Sequence, residues 1–300
     1  MRGLIVDPDA PWALRVAEVE EPLLREGQLL IAVEHVSLNA GDLNDARSGR
    51  VPSGAVLGSD LAGRVERSTE TGQPAVGARV VALAPAAFAE KVAAEAGSVA
   101  EVPPNVDLAA AAALPVAGLA ALRSLRAAGP TLGKRILITG ASGGFGRFAV
   151  QLASRGGAHV IASVGSAARG EGLRELGADE VVIGVDGVTA PVDVVLDTVG
   201  GQQLVAAWRL LAVGGSLQSI GSSSGEDAVF PPYSTIGPPK TLSAFLIGDN
   251  VGDDLATLVE LLSRGELTVE IGWRGSLDRA ADAAQALHER RLNGKAILNL

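Results

Sequence analysis

One short stretch limits the fold more than any other. Ile136-Leu137-Ile138 is an apolar run, Thr139-Gly140-Ala141-Ser142-Gly143-Gly144-Phe145-Gly146 a glycine-dense turn, and Arg147-Phe148-Ala149-Val150 opens a helical pattern. Glycine here permits a tight turn, close approach of backbone to a pyrophosphate, and close packing of helix on strand. The helix N-terminus then presents amides that no intrahelical bond uses. The chain has 38 glycines, so the cluster counts for its place between a strand and a helix and not for its composition. Gly140, Ser142, Gly143, Gly144, Phe145 and Gly146 are therefore candidate dinucleotide-binding residues.

The surroundings agree with that reading. From Pro103-Pro104 onward, apolar runs alternate with helical patterns: Arg135–Ile138, a helix from Gly146 to Arg155, His159–Ala162, a helix from Arg169 to Leu176, Glu180–Ile183, Val192–Leu196, a helix from Gln202 to Leu211, and Ser216–Ile220. Uniformly apolar strands alternating with helices describe a doubly wound parallel sheet, buried on both faces. Before it, short β-branched runs such as Leu29–Val33 and Ala78–Leu83 are separated by Gly, Pro and Asp and predict an antiparallel, barrel-like β region. After it, Leu255–Arg264 and Leu277–Arg291 read as amphipathic helices and Ala296–Leu300 as a strand, a mixed tail that would fold back onto the β region.

Charge and composition narrow the partners. A formal charge of −9 argues against a nucleic-acid partner. With no cysteine there are no disulfides, thiolate nucleophiles or cysteine-ligated metal, and His35, His159 and His288 match no ligand spacing, so no metal site is expected. The run Leu108–Leu122 contains Pro115 and Gly118 and reads as a buried entry into a helix, not a membrane span. Met1–Pro8 runs straight into a strand pattern with no leader features, and a cytoplasmic protein is expected.

The second strand of the block indicates which dinucleotide. An acidic residue about 20 positions after the glycines would bind a ribose 2′-hydroxyl. Ser163 stands there, followed by Val164-Gly165-Ser166-Ala167-Ala168-Arg169. No carboxylate repels a 2′-phosphate, whereas Ser163, Ser166 and Arg169 offer two hydroxyls and a guanidinium to bind it. The expected cofactor is NADPH; the bland alternative is that Arg169 is a solvated residue in the first turn of a helix.

The glycine string also fits the short-chain dehydrogenase fingerprint. Those enzymes carry it near the N-terminus and use a Tyr followed four residues later by Lys; the one tyrosine here, Tyr233, is followed by Gly237, so that reading fails. The rest of the chain resembles the medium-chain dehydrogenase/reductase superfamily, in its zinc-free quinone oxidoreductase-like branch. The likeness runs through Asn39-Ala40-Gly41-Asp42, Gly58-Ser59-Asp60-Leu61-Ala62-Gly63-Arg64-Val65, Ala112–Leu122, Leu176-Gly177-Ala178-Asp179, Asp193–Gly201, Gly214-Gly215, Ile220-Gly221 and Gly294-Lys295-Ala296-Ile297-Leu298, in that order.

The resemblance implies an α/β chain in which a Rossmann-type doubly wound parallel sheet, residues 113–242, is inserted in a GroES-like β-barrel domain made of residues 1–112 and 243–300. It implies nicotinamide and substrate held between the two, and a homodimer paired through an edge strand near Thr241–Ile247. By analogy, Val199 and Gly200 line the cofactor, and backbone amides of Ile220, Gly221, Ser222, Ser223, Phe245, Leu246 and Ile247 fix the nicotinamide. Asn39 is either a hydrogen-bond donor to the substrate carbonyl or nicotinamide edge, or a turn residue bonded to its own backbone. Proton delivery falls to water, Tyr233 or Asp42, and Lys295 reads as surface or packing.

Departures matter as well. Gly58-Ser59-Asp60 replaces the Gly-His-Glu of zinc-dependent relatives, Ala120 replaces a customary threonine, and no aromatic residue follows Asn39 closely. Conjugate reduction of a quinone or α,β-unsaturated carbonyl is expected. The alternatives are an enoyl reductase acting on a biosynthetic thioester or polyketide-like intermediate, and a non-enzymatic NADPH-binding structural or sensor protein.

Overall fold

The computed structural model describes residues 1–69 and 74–300. The chain divides into two compact units, one made of Met1–Leu119 with Gly248–Leu300 and the other of Ala120–Ile247. Both boundaries fall later than the 112/113 and 242/243 expected. The second is displaced because the strand at Thr241–Ala244 is hydrogen-bonded into the sheet of the inserted unit.

In chain order the first unit contains β1 (Arg2–Val6), β2 (Leu14–Glu18), β3 (Gln28–Leu38), α1 (Ala40–Arg47), β4 (Asp60–Ser68), β5 (Arg79–Leu83), β6 (Lys91–Glu95), β7 (Val99–Glu101), α2 (Leu108–Ala111) and the head of α3 (Pro115–Ala127). The inserted unit follows with β8 (Arg135–Ile138), α4 (Gly144–Arg155), β9 (His159–Val164), β10 (Glu180–Ile183), β11 (Val192–Asp197), α5 (Gly201–Leu210), β12 (Leu211–Ser219) and β13 (Thr241–Ala244). The tail returns to the first unit as α6 (Gly252–Ser263), β14 (Ile271–Ser276), α7 (Ala280–His288) and β15 (Lys295–Asn299).

The first unit is built on a sheet of order β14-β15-β3-β4-β5-β7, with β6 also pairing β3 and β1 pairing β2 separately. The tail does fold back: β15 lies antiparallel to β3, with Ala296 opposite Leu38. Among the described residues, only the β14–β15 pair in this sheet is parallel. Alternating positions of these strands (Leu29, Ile31, Val36, Leu38, Leu61, Val80, Ala82 and Leu298 among them) point into one apolar core, sealed by Phe88 and by Ala280, Ala283 and Ala284 of α7.

The inserted unit is a six-stranded, wholly parallel sheet of order β10-β9-β8-β11-β12-β13. Its central strands are buried through their middles: Ile136, Leu137, Ile138, Val160, Ile161, Ala162, Val195 and Leu196 have no exposed surface. That explains their unbroken apolar character in the sequence. The order reverses between β8 and β11, the place where open sheets of this kind leave a crevice beyond the carboxyl ends of their strands.

One expected element is absent. The helix predicted over Arg169–Leu176 is a 3-10 turn at Ala167–Gly170 followed by further turns. Gly170, Gly172 and Gly177 break it, the last two at φ +75° and +105°, where a helix cannot run.

Candidate functional site

The glycine turn opens the crevice at the reversal point. Gly140 leaves β8 at φ +63°, and the amide of Gly143 closes the turn on Gly140 O at 3.0 Å before α4 begins. Gly146 fits only because it has no side chain: a Cβ there would stand 2.4 Å from Ala141 Cα and 2.5 Å from Gly140 O. The head of α4 is thereby pressed against the turn, with its first amides directed at the space beyond. Gly143, Gly144 and Phe145 are half-buried at that head, and Ser142 is buried just before it.

The opposite wall comes from the end of β11. The buried Asp197 carboxylate accepts from Thr139 Oγ1 at 2.6 Å and from the Gly200 amide at 2.8 Å. Burial raises the pKa of this carboxyl, and the bonds from Thr139 and from the Gly200 and Val199 amides oppose the rise. Thr198 joins the two walls, its amide donating to Thr139 Oγ1 and its hydroxyl to Thr139 O. Asp197 and Thr139 therefore set the spacing of the crevice. In the sequence, the one signal for this task is an Asp closing the apolar run Val192–Leu196.

At the end of β9 the expected phosphate ligands separate. Arg169 Nε donates to Ser142 Oγ at 3.0 Å, which joins the guanidinium to the glycine turn, and Ser166 is exposed beside it. Ser163 does not take the role expected of it: it has no exposed surface, donates to Gly184 O at 2.6 Å and accepts from Gln203 Nε2 at 3.0 Å. A hydroxyl sealed between a backbone carbonyl and a glutamine is a packing group.

The amides expected at the nicotinamide are also partly engaged. Ile220 and Gly221 donate to Asp197 O, Ser223 to Thr198 O and Phe245 to Ser219 O. Among the described residues this leaves Ser222, Leu246 and Ile247 from those two runs without a backbone acceptor for their amides. The Ile247 carbonyl is held by the guanidinium of Arg123. Tyr233 belongs to this unit, 81% exposed and at φ +65° in an irregular stretch between β12 and β13. The turn, the helix head and Arg169 together fit a pyrophosphate and a nearby phosphate, a cradle of amides and one guanidinium.

The GroES-like unit brings other predicted residues together. Register sets Ser37 of β3 opposite Asp60 of β4 and Leu38 opposite Ala296 of β15. Asn39, Asp60 and Lys295 thus meet at one end of three adjacent strands. Lys295, expected at the surface or in packing, is a buried cation: Nζ donates to Asp60 Oδ2 at 3.2 Å and to Asn39 Oδ1. Asn39 Nδ2 donates to Asp60 Oδ2 at 3.0 Å and to Ser37 O at 3.2 Å. Both amide hydrogens are engaged, so in this structure Asn39 has no donor to give an acceptor molecule.

Asn39 also precedes α1, and its backbone amide donates to Asp42 Oδ2 at 2.8 Å, half of a capping box. Asp42 is buried, and its pKa is pushed up to about 7, chiefly by burial and then by the nearby charge of Asp60. Among the described residues, no group of three or more His, Asp or Glu side chains is placed to hold a metal ion, and no helix is long and apolar enough to cross a membrane.

Comparison with known proteins identifies the family. Residues 25–104 match the family described as the alcohol dehydrogenase GroES-like domain, and residues 176–298 match the zinc-binding dehydrogenase family. The chain is 30% identical to bovine (Bos taurus) prostaglandin reductase-3 over 93% of its own length and 83% of that protein's. It belongs to the medium-chain dehydrogenase/reductase superfamily. Within the superfamily it also resembles a stretch of the pikromycin polyketide synthase component PikAII of Streptomyces venezuelae, at 32% identity over 93% of this chain. The chain spans only 8% of that protein's length. Among solved structures, the mycobacterial protein Rv1454c, complexed with NADPH, superposes with a TM-score of 0.88 at 27% identity and full coverage of both chains.

Proposed function

We propose that this medium-chain dehydrogenase/reductase is an NADPH-dependent oxidoreductase that reduces the conjugated double bond of an α,β-unsaturated carbonyl compound or a quinone. One observation carries the cofactor choice. At the end of β9, where a carboxylate would select NADH, the chain has none and instead sets Arg169 against Ser142 of the pyrophosphate turn. The relative complexed with NADPH and the reductase named for prostaglandins support the reading.

When bound, the cofactor supplies a hydride; the chain supplies position and charge. The amides at the head of α4 hold the pyrophosphate, Arg169 with Ser142 and Ser166 holds the 2′-phosphate, and Ser222, Leu246 and Ile247 hold the nicotinamide edge. Val199 and Gly200 line the crevice. We place the Asn39–Asp42 turn at the acceptor, with Asn39 acting by fixing that turn. The proton needed at the neighbouring carbon comes from solvent, and the exposed Tyr233 hydroxyl is the side chain we assign to deliver it. We also propose a homodimer, because β13 is an open edge of its sheet with Leu242 and Leu246 exposed on and beside it.

A second reading, reduction of an enoyl thioester on a biosynthetic intermediate, is favoured by the likeness to a polyketide synthase component. One experiment addresses both. NADPH and NADH absorbance is followed with a panel of enones, quinones and enoyl thioesters, beside direct titration of each cofactor. Oxidation of NADPH in preference to NADH by a conjugated acceptor is the expected result, and the best acceptor chooses between the readings. Tight NADPH binding with no turnover of any acceptor would favour a structural or sensor protein. Absence of binding would end the dinucleotide assignment.

A further inference from the structure

Three stretches of the GroES-like unit bring a buried lysine and two buried aspartates, Lys295, Asp60 and Asp42, together around the half-buried Asn39. Lys295 is 4% exposed, Asp60 0% and Asp42 7%. A lysine ammonium leaves water only where something answers its charge. As a stabilising device the arrangement is poor, since desolvating the ion pair offsets most of its attraction and apolar residues of similar volume would pack as well.

What the arrangement does supply is orientation. Asn39 Oδ1 faces the Lys295 ammonium and Nδ2 faces the Asp60 carboxylate. Turning that amide over would set its NH2 against a cation and its oxygen against an anion, exchanging two attractions for two repulsions. Asp60 is itself fixed from both sides, because Oδ1 takes the Val116 amide in the first turn of α3 at 2.8 Å while Oδ2 takes Lys295 and Asn39. The side chain of Asn39 thus has one orientation, and its backbone amide holds Asp42 at the head of α1.

We propose that Lys295 is a positioning residue of the reduction: with Asp60 it locks the side chain of Asn39, and through it the Asn39–Asp42 turn placed at the acceptor. The inference rests on the proposed function. Lys295 touches neither acceptor nor cofactor; its effect on the acceptor passes through Asn39, directly and by way of Asp60. Residues that act through one another have non-additive effects, and this separates positioning from a general loss of stability.

The test is a double-mutant cycle in the full chain, with NADPH and the best acceptor of the panel. kcat, KM and the NADPH Kd are measured for Asn39→Ala, Lys295→Met, Lys295→Arg and the pair Asn39→Ala with Lys295→Met. Asn39→Ala and Lys295→Met should each lower kcat about 10-fold or more, as misplacement of an element that positions the substrate does. The NADPH Kd should stay within about two-fold, because the cofactor ligands lie in the other unit. The double variant should be no slower than the slower single one, and Lys295→Arg, which keeps the cation with a different geometry, should recover part of the rate.

Losses that multiply in the double variant, or a wild-type kcat in Lys295→Met beside a slow Asn39→Ala, would overturn the proposal. If Lys295→Met fails to fold by circular dichroism, the cycle is completed with Lys295→Arg, and additivity there counts against the proposal equally. Failure of the proposed function itself looks different, since the wild-type chain would then turn over no conjugated acceptor.

Discussion

A guanidinium and a hydroxyl 3.0 Å apart, Arg169 and Ser142, are the two side chains on which the proposed preference for NADPH rests. If the proposed assignment holds, Arg169→Ala takes away charge-assisted bonds to a 2′-phosphate and nothing that NADH uses. Isothermal titration should therefore show NADPH binding weakened about 10-fold to 100-fold, with NADH nearly unchanged. Equal weakening of both would place Arg169 in the pyrophosphate cradle instead. Asp42 gives a second test at this scale. Folded, its carboxyl keeps a proton to about pH 7; unfolded, it releases it near 3.8. Between those values the folded chain binds more protons, so this group's contribution to stability falls as pH rises and is fully lost above about 7. Asn cannot titrate, and Asp42→Asn should gain on the wild type by about 1 kcal/mol or more between pH 5 and pH 8 in urea unfolding. The Glu180 carboxyl works in the opposite sense, held low mainly by its bond from His159, but it is common to both proteins and cancels.

At the scale of elements, the join between β8 and α4 is the most exacting piece of the inserted unit. A methyl group at Gly146 would overlap the backbone of Ala141 and Gly140. Gly146→Ala should lower stability by about 1–3 kcal/mol in thermal unfolding and weaken both cofactors together, because the helix head must back away from the turn. This element, like the central strands, was legible beforehand: unbroken apolar runs such as Ile136–Ile138 and a glycine turn between strand and helix have few other physical explanations. The helix expected at Arg169–Leu176 was misjudged, since Leu173 and Leu176 suggest a helix face while Gly170 and Gly172, poor helix formers visible in the sequence, argue against it, and the positive φ of Gly172 bears that out. Side-chain commitments were less legible still. Ser163 and Asn39 look like available polar groups in sequence, yet Gly184, Gln203, Lys295 and Asp60 already engage them. All but Gly184 and Asp60, 21 residues away in each case, lie 40 or more positions along the chain, and no local pattern announces them.

At the scale of the whole molecule, the open edge at β13 predicts assembly. Light scattering on the eluted protein should give twice the chain mass of 30.3 kDa, and Leu242→Lys, which sets a charge on that edge, should return it to the single-chain value. A wild-type monomer would remove the homodimer from the account. The insertion of residues 120–247 into the GroES-like unit has another consequence. Lys295 and Asn39 stand 256 positions apart, so a ribosome releases β3 and β4 long before β15. Throughout that interval Asp60 lacks Lys295 and the His35–Leu38 end of β3, beyond the part that β6 pairs, lacks its β15 neighbour, while all six strands of the inserted sheet are already available. The unit that begins first in translation is therefore the one that finishes last.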